Sequence, residues 1–307
     1  MPKKIIFMGT PLFAVPILKS LYQNGYPISV VYTQPPQKSK RGHKINKSPI
    51  QSISETLNID FRTPQILKDN KEEYKFLNEL NADLAIVVAY GQIIPKSFLN
   101  LTKKGFINIH GSILPKWRGA APIQRSIMNL DTQTGVSIMK IVEKLDAGPV
   151  MHKEIIKINE NIDTFTLSKV LSNLGAKSMI NALQKVFNSQ AVFNEQDHSK
   201  ATYAKKITKQ EGQINWNESA NKIVAKINGL NPNPGAWFKF KGERIKIWKG
   251  IVANKEGKPG EIIDSNLTIA CSEKSIKIIE IQKEGKTRQT AEKFLLGSKL
   301  KQGEIIS

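Results

Sequence analysis

Asn108 and His110 stand two residues apart at the end of an apolar run, in the stretch "NIHGSILPKWRGAAP" (residues 108–122). If residues 105–110 form a strand, both side chains emerge on one face at its carboxyl end, where open α/β sheets bind ligands. An amide and an imidazole facing one site fit either a polar pair capping a strand or a reacting pair. The residues after His110 favour reaction. Gly111 permits close backbone approach, residues 112–115 make a rigid non-helical segment, and Arg118-Gly119 marks another turn. A loop of this kind presents backbone donors and acceptors to a flat heterocycle, while residues 116–122 lead into the next helix. "EKLDAGP" adds a carboxylate, Asp146, in a turn between two expected strands. By itself it reads as an Asx turn. Beside a neutral imidazole, a carboxylate raises the ring's proton affinity and orients it, as general acid–base work requires. Asn, His and Asp without a nucleophilic Ser or Cys point to direct transfer. The amide and imidazole would stabilise the oxyanion of a tetrahedral intermediate, and the Asp–His pair would take the proton lost by an attacking amine.

Other chemistries find no support. Gly9-Thr10-Pro11 follows the first apolar run, but the G-x-G-x-x-G spacing is missing and no acidic residue closes the second strand, which argues against a dinucleotide site. There is no Walker A sequence, no Cys/His cluster for zinc and no G-x-S-x-G elbow. His43, His152 and His198 are isolated and read as surface or loop residues.

The elements that must position the three polar side chains follow from hydrophobic periodicity. Residues 3–9, 28–33, 83–91 and 105–110 read as strands buried on both faces, separated by helical patterns near 14–24, 49–57 and 71–81. That alternation predicts a parallel α/β sheet. A helix over 120–130, strands at 134–142 and 150–158 on either side of "EKLDAGP", and a long helix at about 163–188 complete a first domain, residues 1–188. A polar linker, 189–206, leads to a second domain, 207–307, where one helix (217–229) precedes short alternating β segments suited to a small antiparallel barrel.

Composition bounds the rest. The 307 residues exceed one compact core, and 40% hydrophobic content suffices for two. No run approaches a membrane span, and "MPKKIIFMGTP" reads as a buried first strand rather than a signal peptide. The lone cysteine, Cys271, fits a reducing compartment, the cytoplasm. Lys and Arg number 46 against 26 Asp and Glu, a net charge of +20; an anionic macromolecule is a natural partner, the alternative being a lysine-rich composition whose excess only keeps the protein soluble. Two places concentrate the charge. The Pro/Gly-rich loop "QPPQKSKRGHKINKSPI" (34–50) carries Lys38, Lys40, Arg41, Lys44 and Lys47 with no acid between them, and the second domain holds 19 basic against 11 acidic residues from 206 onward.

Four blocks, "IIFMGTPLFAVPIL", "DLAIVVAYGQIIP", "NIHGSILPKWRGAAPIQRSI" and "GVSIMKIVEKLDAGPV", carry a resemblance to the formyltransferase family. It extends over nearly the whole chain and falls within the branch that formylates methionyl-tRNA. The resemblance implies an α/β fold: an N-terminal, Rossmann-like parallel-sheet domain plus a small C-terminal OB-like β-barrel. It implies Asn108, His110 and Asp146 as the catalytic trio. Ser112, Ile113, Leu114 and Pro115 become the tetrahydrofolate-binding stretch, and Val88, Ala89, Tyr90, Gly91 and Gln92 a backbone segment lining the same pocket. Phe13 falls where the family places an aromatic near the methionyl side chain. Lys38, Lys40, Arg41 and Lys44 fall in the loop that contacts the tRNA acceptor arm, and Lys286 in a barrel segment that the family shares. The co-substrate implied is 10-formyltetrahydrofolate and the partner initiator methionyl-tRNA, with no metal and no membrane, for a monomeric cytoplasmic enzyme of translation initiation. An amino-sugar nucleotide as the amine, or a noncatalytic RNA-binding role on the same scaffold, are the alternatives. Departures from the family pattern lie away from the trio: Lys40 and His43 in the loop, Gly229 and Asn233 in "GLNPNPGAWF", and Gln289.

Overall fold

The computed structural model describes residues 3–38, 45–298 and 300–306. The chain divides into two compact units. The first comprises residues up to Gly119, Gly135–Ile156 and Ser168–Tyr203; the second comprises Ala120–Thr134, Lys157–Leu167 and the chain from Ala204 onward.

In the first unit, β1 (Ile5–Gly9), β2 (Ile28–Tyr32), β3 (Phe61–Arg62), β4 (Leu84–Val88) and β5 (Phe106–His110) pair in parallel, in the spatial order β5-β4-β1-β2-β3. β1, β4 and β5 are buried at every position; β1 and β4 are continuous apolar runs covered on both faces, while β5 carries the polar Asn108 and His110. The intervening helices start where the sequence supplies caps. In α1 (Val15–Gln23) proline occupies the first turn; in α2 (Pro49–Thr56) Ser48 accepts from the Gln51 N–H; in α3 (Lys71–Leu80) Asn70 accepts from the Glu73 N–H. β6 (Gln133–Lys140) then joins β5 antiparallel, and β7 (Val150–Lys157) forms the sheet's other edge. The sheet is thus parallel through five strands, with the chain reversing at the hairpin that carries Asp146. Helix α5 (Thr164–Phe187) approaches closely at Gly175, where a Cβ would lie 3.1 Å from Ile109. Ile109 alternates with Asn108 and His110, so α5 covers the face opposite the polar pair.

In the second unit, α4 (Pro122–Met128) packs with α6 (Ala220–Leu230). Gly229 permits the approach, because a Cβ there would lie 2.5 Å from Met128 Cγ. An antiparallel sheet follows, β8 (Ala236–Phe240), β9 (Glu243–Ala253), β11 (Ser275–Lys283) and β10 (Thr268–Ala270) in spatial order, with β12 (Gln289–Thr290) also on β11. This half-barrel curls around one apolar core that includes Ile223, Ile227, Phe238, Ile247, Ile278 and Phe294. The last of these lies on α7 (Ala291–Leu296), a short helix capped by Thr290 that periodicity does not reveal.

Candidate functional site

β5 ends beside β4 and β6, and its register places Asn108 opposite Met139 and His110 opposite Ser137. Both polar residues are nearly buried, with exposures of 9% and 6%. Burying an amide without a partner is costly unless a ligand or water satisfies it. Among the described residues, the Asn108 side chain has no protein hydrogen bond. His110 is oriented from one side: Nε2 lies 2.8 Å from the Trp117 carbonyl oxygen. A carbonyl only accepts, so Nε2 carries a proton and the neutral ring keeps its lone pair on Nδ1. That atom faces Asp146 Oδ2 at 3.7 Å. The same carboxylate oxygen accepts from the Gly119 N–H at 2.8 Å. Amide, imidazole and carboxylate, separated in the sequence, thus meet at one strand end.

The loop after His110 is fastened by hydroxyls. Ser137 Oγ, fully buried on β6, accepts from the Leu114 N–H at 3.0 Å and donates to the Ser112 carbonyl at 2.7 Å. Ser112 Oγ donates to the Lys116 carbonyl at 2.6 Å. Thr202 Oγ1 accepts from the Trp117 N–H at 2.8 Å, and the Thr202 carbonyl accepts from the Arg118 N–H at 2.8 Å. Trp117 takes a positive φ of 62°, a strained conformation for a bulky residue that needs such fixing.

The hairpin bearing Asp146 is equally constrained. Gly148 sits where a Cβ would lie 2.0 Å from the Lys140 carbonyl oxygen, so no other residue fits. Asp146 itself has φ +46°. Gln196 Nε2 donates to the Asp146 and Gly148 carbonyls at 2.9 and 2.7 Å. Its Oε1 accepts from Arg118 Nη2 and Nε at 2.8 and 3.2 Å. Arg118 begins the two-residue strand Arg118–Gly119 rather than the expected turn; it is 1% exposed, and its Nη2 also donates to His198 Nδ1 at 2.8 Å.

The segment after β4 lies at the same carboxyl edge of the sheet. Ala89 and Gly91 take positive φ values of 47° and 88°. The Tyr90 carbonyl accepts from Thr10 Oγ1 at 2.7 Å, which ties this segment to the end of β1. The Tyr90 side chain is buried; burial, and then the Glu73 carboxylate, push its phenol up. Gln92 turns its amide away, accepting from the Leu67 N–H and donating to the Pro64 carbonyl. Phe13 lies partly buried in the turn after β1, and its carbonyl accepts from Ser172.

Lys40, Arg41 and Lys44 lie outside the described residues; Lys38 is described through its backbone, in a short ladder with Ile45. Lys286 belongs to the second unit, in a turn where its carbonyl accepts from Gln282 at 2.6 Å. Among the described residues, no group of three His, Cys, Asp or Glu side chains is placed to hold a metal ion, and no helix is long and apolar enough to cross a membrane.

Sequence reasoning did not pick out Ser137, Gln196 or Thr202, and it read Arg118 as part of a turn. Ser137 left a trace, a hydroxyl within an otherwise apolar strand. The other two lie in a polar stretch that reads as a linker.

The profile of the Formyl transferase family matches residues 3–183, and that of the Formyl transferase C-terminal domain matches 206–299. Among solved structures, the sugar 3N-formyl transferase WlaRD, determined in the presence of dTDP and 5-N-formyl-THF, is similar over 94% of this chain and 100% of its own, with TM-score 0.70 and 19% identity. HypX from Aquifex aeolicus in complex with tetrahydrofolic acid is similar over 100% of this chain and 51% of its own, with TM-score 0.68 and 14% identity. These two share the fold. A methionyl-tRNA formyltransferase of Pelagibacter ubique (strain HTCC1062) is 59% identical over 308 residues, covering 100% of this chain and 99% of that protein. With both profiles and a relative of that identity over full length in agreement, the chain belongs to the methionyl-tRNA formyltransferase family.

Proposed function

We propose that this enzyme transfers the formyl group of 10-formyltetrahydrofolate to the free α-amine of initiator methionyl-tRNA, acting as a cytoplasmic monomer. The observation that carries the catalytic part is the unpartnered Asn108 amide beside a histidine whose basic nitrogen faces a carboxylate. The neutral amine attacks the formyl carbon, and the carbonyl oxygen becomes an oxyanion that the Asn108 amide N–H stabilises. The attacking nitrogen gives up a proton to His110 Nδ1, and the resulting imidazolium lies between the Trp117 carbonyl and the Asp146 carboxylate, both of which favour its charge. The bond from the formyl carbon to N10 then breaks, and His110 returns the proton to that nitrogen. Formyl-methionyl-tRNA and tetrahydrofolate result, with atoms and charge balanced.

The backbone of residues 112–115 and of residues 88–92, with Phe13, forms the folate and methionyl side of the site in this reading. Lys38, Lys40, Arg41, Lys44 and Lys286 supply phosphate contacts. The division into a catalytic domain (1–188), a linker (189–206) and a basic tRNA-binding domain (207–307) belongs to the same proposal. The amino-sugar alternative has only fold-level likeness behind it, at 19% identity, against 59% to a relative named for methionyl-tRNA.

The test is a formylation assay with charged initiator tRNA, charged elongator tRNA and an amino-sugar nucleotide. Transfer is expected on the initiator alone, with an apparent tRNA affinity that falls steeply with salt. Asn108→Ala and His110→Ala are each expected to lower kcat by roughly 10²- to 10³-fold. A wild-type rate in His110→Ala sinks the chemical assignment, and preferred transfer to the sugar sinks the substrate assignment.

A further inference from the structure

We propose that Gln196 is a positioning residue for formyl transfer, acting on Asp146 through that residue's main chain; the inference rests on the assignment of Asp146 and His110 to the reaction. Gln196 is 7% exposed and lies in the segment after α5, outside both motifs that carry the trio. A primary amide offers two N–H donors and an oxygen with two lone pairs. All four are used here. The donors go to the carbonyls of Asp146 and Gly148, on either side of Ala147, and the oxygen receives two N–H groups of Arg118. Because carbonyls only accept and a guanidinium only donates, the amide can sit in one orientation alone.

Anchoring Arg118 would require only an acceptor. The donor half reaches instead to the turn that holds Asp146 at φ +46°, in the left-handed region that an aspartate tolerates better than most residues and that fixes the direction of its side chain. The carboxylate of the same residue is held by the Gly119 N–H. Two grips therefore converge on Asp146, one on its main chain through Gln196 and one on its side chain through Gly119. Both trace back to the adjacent pair Arg118-Gly119, directly after the Trp117 whose carbonyl orients His110. The segment after α5 thereby enters the catalytic unit as a brace for the carboxylate, and a small displacement of such a group costs rate rather than substrate affinity.

The two halves of the amide separate by mutation. Gln196→Glu keeps an acceptor for Arg118 and strengthens it with charge, but sets an oxygen against the Asp146 and Gly148 carbonyls. The expected result is a fall in kcat of the order of 10- to 100-fold, with KM for folate and for tRNA within about two-fold of wild type. In an Asp146→Ala background the same change should cost nothing further, because there is no carboxylate left to misplace. Gln196→Met, similar in length and uncharged, carries the same comparison should the glutamate variant fail to fold. Wild-type kcat in the position-196 variant, or a full additional loss in the Asp146→Ala background, overturns the proposal. Wild-type kcat in Asp146→Ala alone overturns instead the reading on which it rests.

Discussion

Replacing Ser137 by Ala removes one oxygen and leaves two backbone groups without partners. Ser137 Oγ accepts from the Leu114 N–H at 3.0 Å and donates to the Ser112 carbonyl at 2.7 Å, with Ser137 and Leu114 fully buried and Ser112 1% exposed. No other hydrogen bond is available to either backbone group in the loop as it stands, and the space vacated by a hydroxyl is smaller than a water. Each orphaned group costs about 1–3 kcal/mol, so the pair should cost roughly 2–6 kcal/mol if the loop keeps its place. If the loop moves outward to hydrate them, the stability loss shrinks. If residues 112–115 hold folate as proposed, their backbone then leaves the geometry that meets it, and KM for the formyl donor rises. The two outcomes draw on the same free energy, so one or the other must appear. Urea unfolding gives the first and initial-rate kinetics at varied formyl donor the second. A Ser137→Ala enzyme within about 0.5 kcal/mol of wild type and with unchanged KM for folate refutes the idea that this hydroxyl fastens the loop.

Gly148→Ala places a methyl 2.0 Å from the Lys140 carbonyl oxygen; the hairpin must open, with an expected loss of at least about 2 kcal/mol and a fall in kcat through Asp146, read by urea unfolding and formylation rate. Burial pushes the Cys271 thiol up to about 12, and it is the chain's single cysteine; a thiol reagent at pH 8 should leave the native protein unlabelled and report unfolding once urea is added. Burial would raise the Asp264 carboxyl, but the Lys255 ammonium, the Thr268 hydroxyl and the Thr268 and Asn266 N–H groups outweigh it and bring the group from 3.8 to about 2. The folded value is the lower one, so this stabilisation is complete above the unfolded value and is lost as pH falls from about 4 to 2. The stability difference between wild type and Asp264→Asn, followed by urea unfolding, should vanish across that window and stay flat above pH 5.

Much of the fold is legible because it rests on patterns local to each segment. β1 and β4 are continuous apolar runs, and α2 and α3 begin at Ser48 and Asn70, which declare themselves as caps. The strand end at Asn108 and His110 is legible for the same reason, since a period of two puts both on one face wherever the strand lies. Elements whose stability comes from elsewhere in the chain are harder to see. Phe61–Arg62 is a two-residue edge strand fixed by pairing with β2, and Ala291–Leu296 is a helix too short for periodicity to register. Neither contains enough sequence to show a pattern.

The same distinction governs the site. Asn108 and His110 can be picked out because they end an apolar strand two residues apart, and Asp146 because it sits in a Gly-Pro turn between two strands. Gln196 and Thr202 cannot, because a Gln or Thr in a polar segment has the same local signature whether it faces water or grips a buried carbonyl. Their meaning resides in pairs: Gln196 with the Asp146 and Gly148 carbonyls, Thr202 with the N–H groups of Trp117 and Arg118. A pairing across 50 or 85 positions leaves no trace in composition or period. What could have suggested it is an accounting of need. Asp146 sits at positive φ in a turn that only Gly148 permits, and Trp117, a bulky residue, is strained at positive φ. Strained backbone of this kind requires donors from outside the motif. The polar stretch following the last helix of the unit is the nearest uncommitted source of them in the chain.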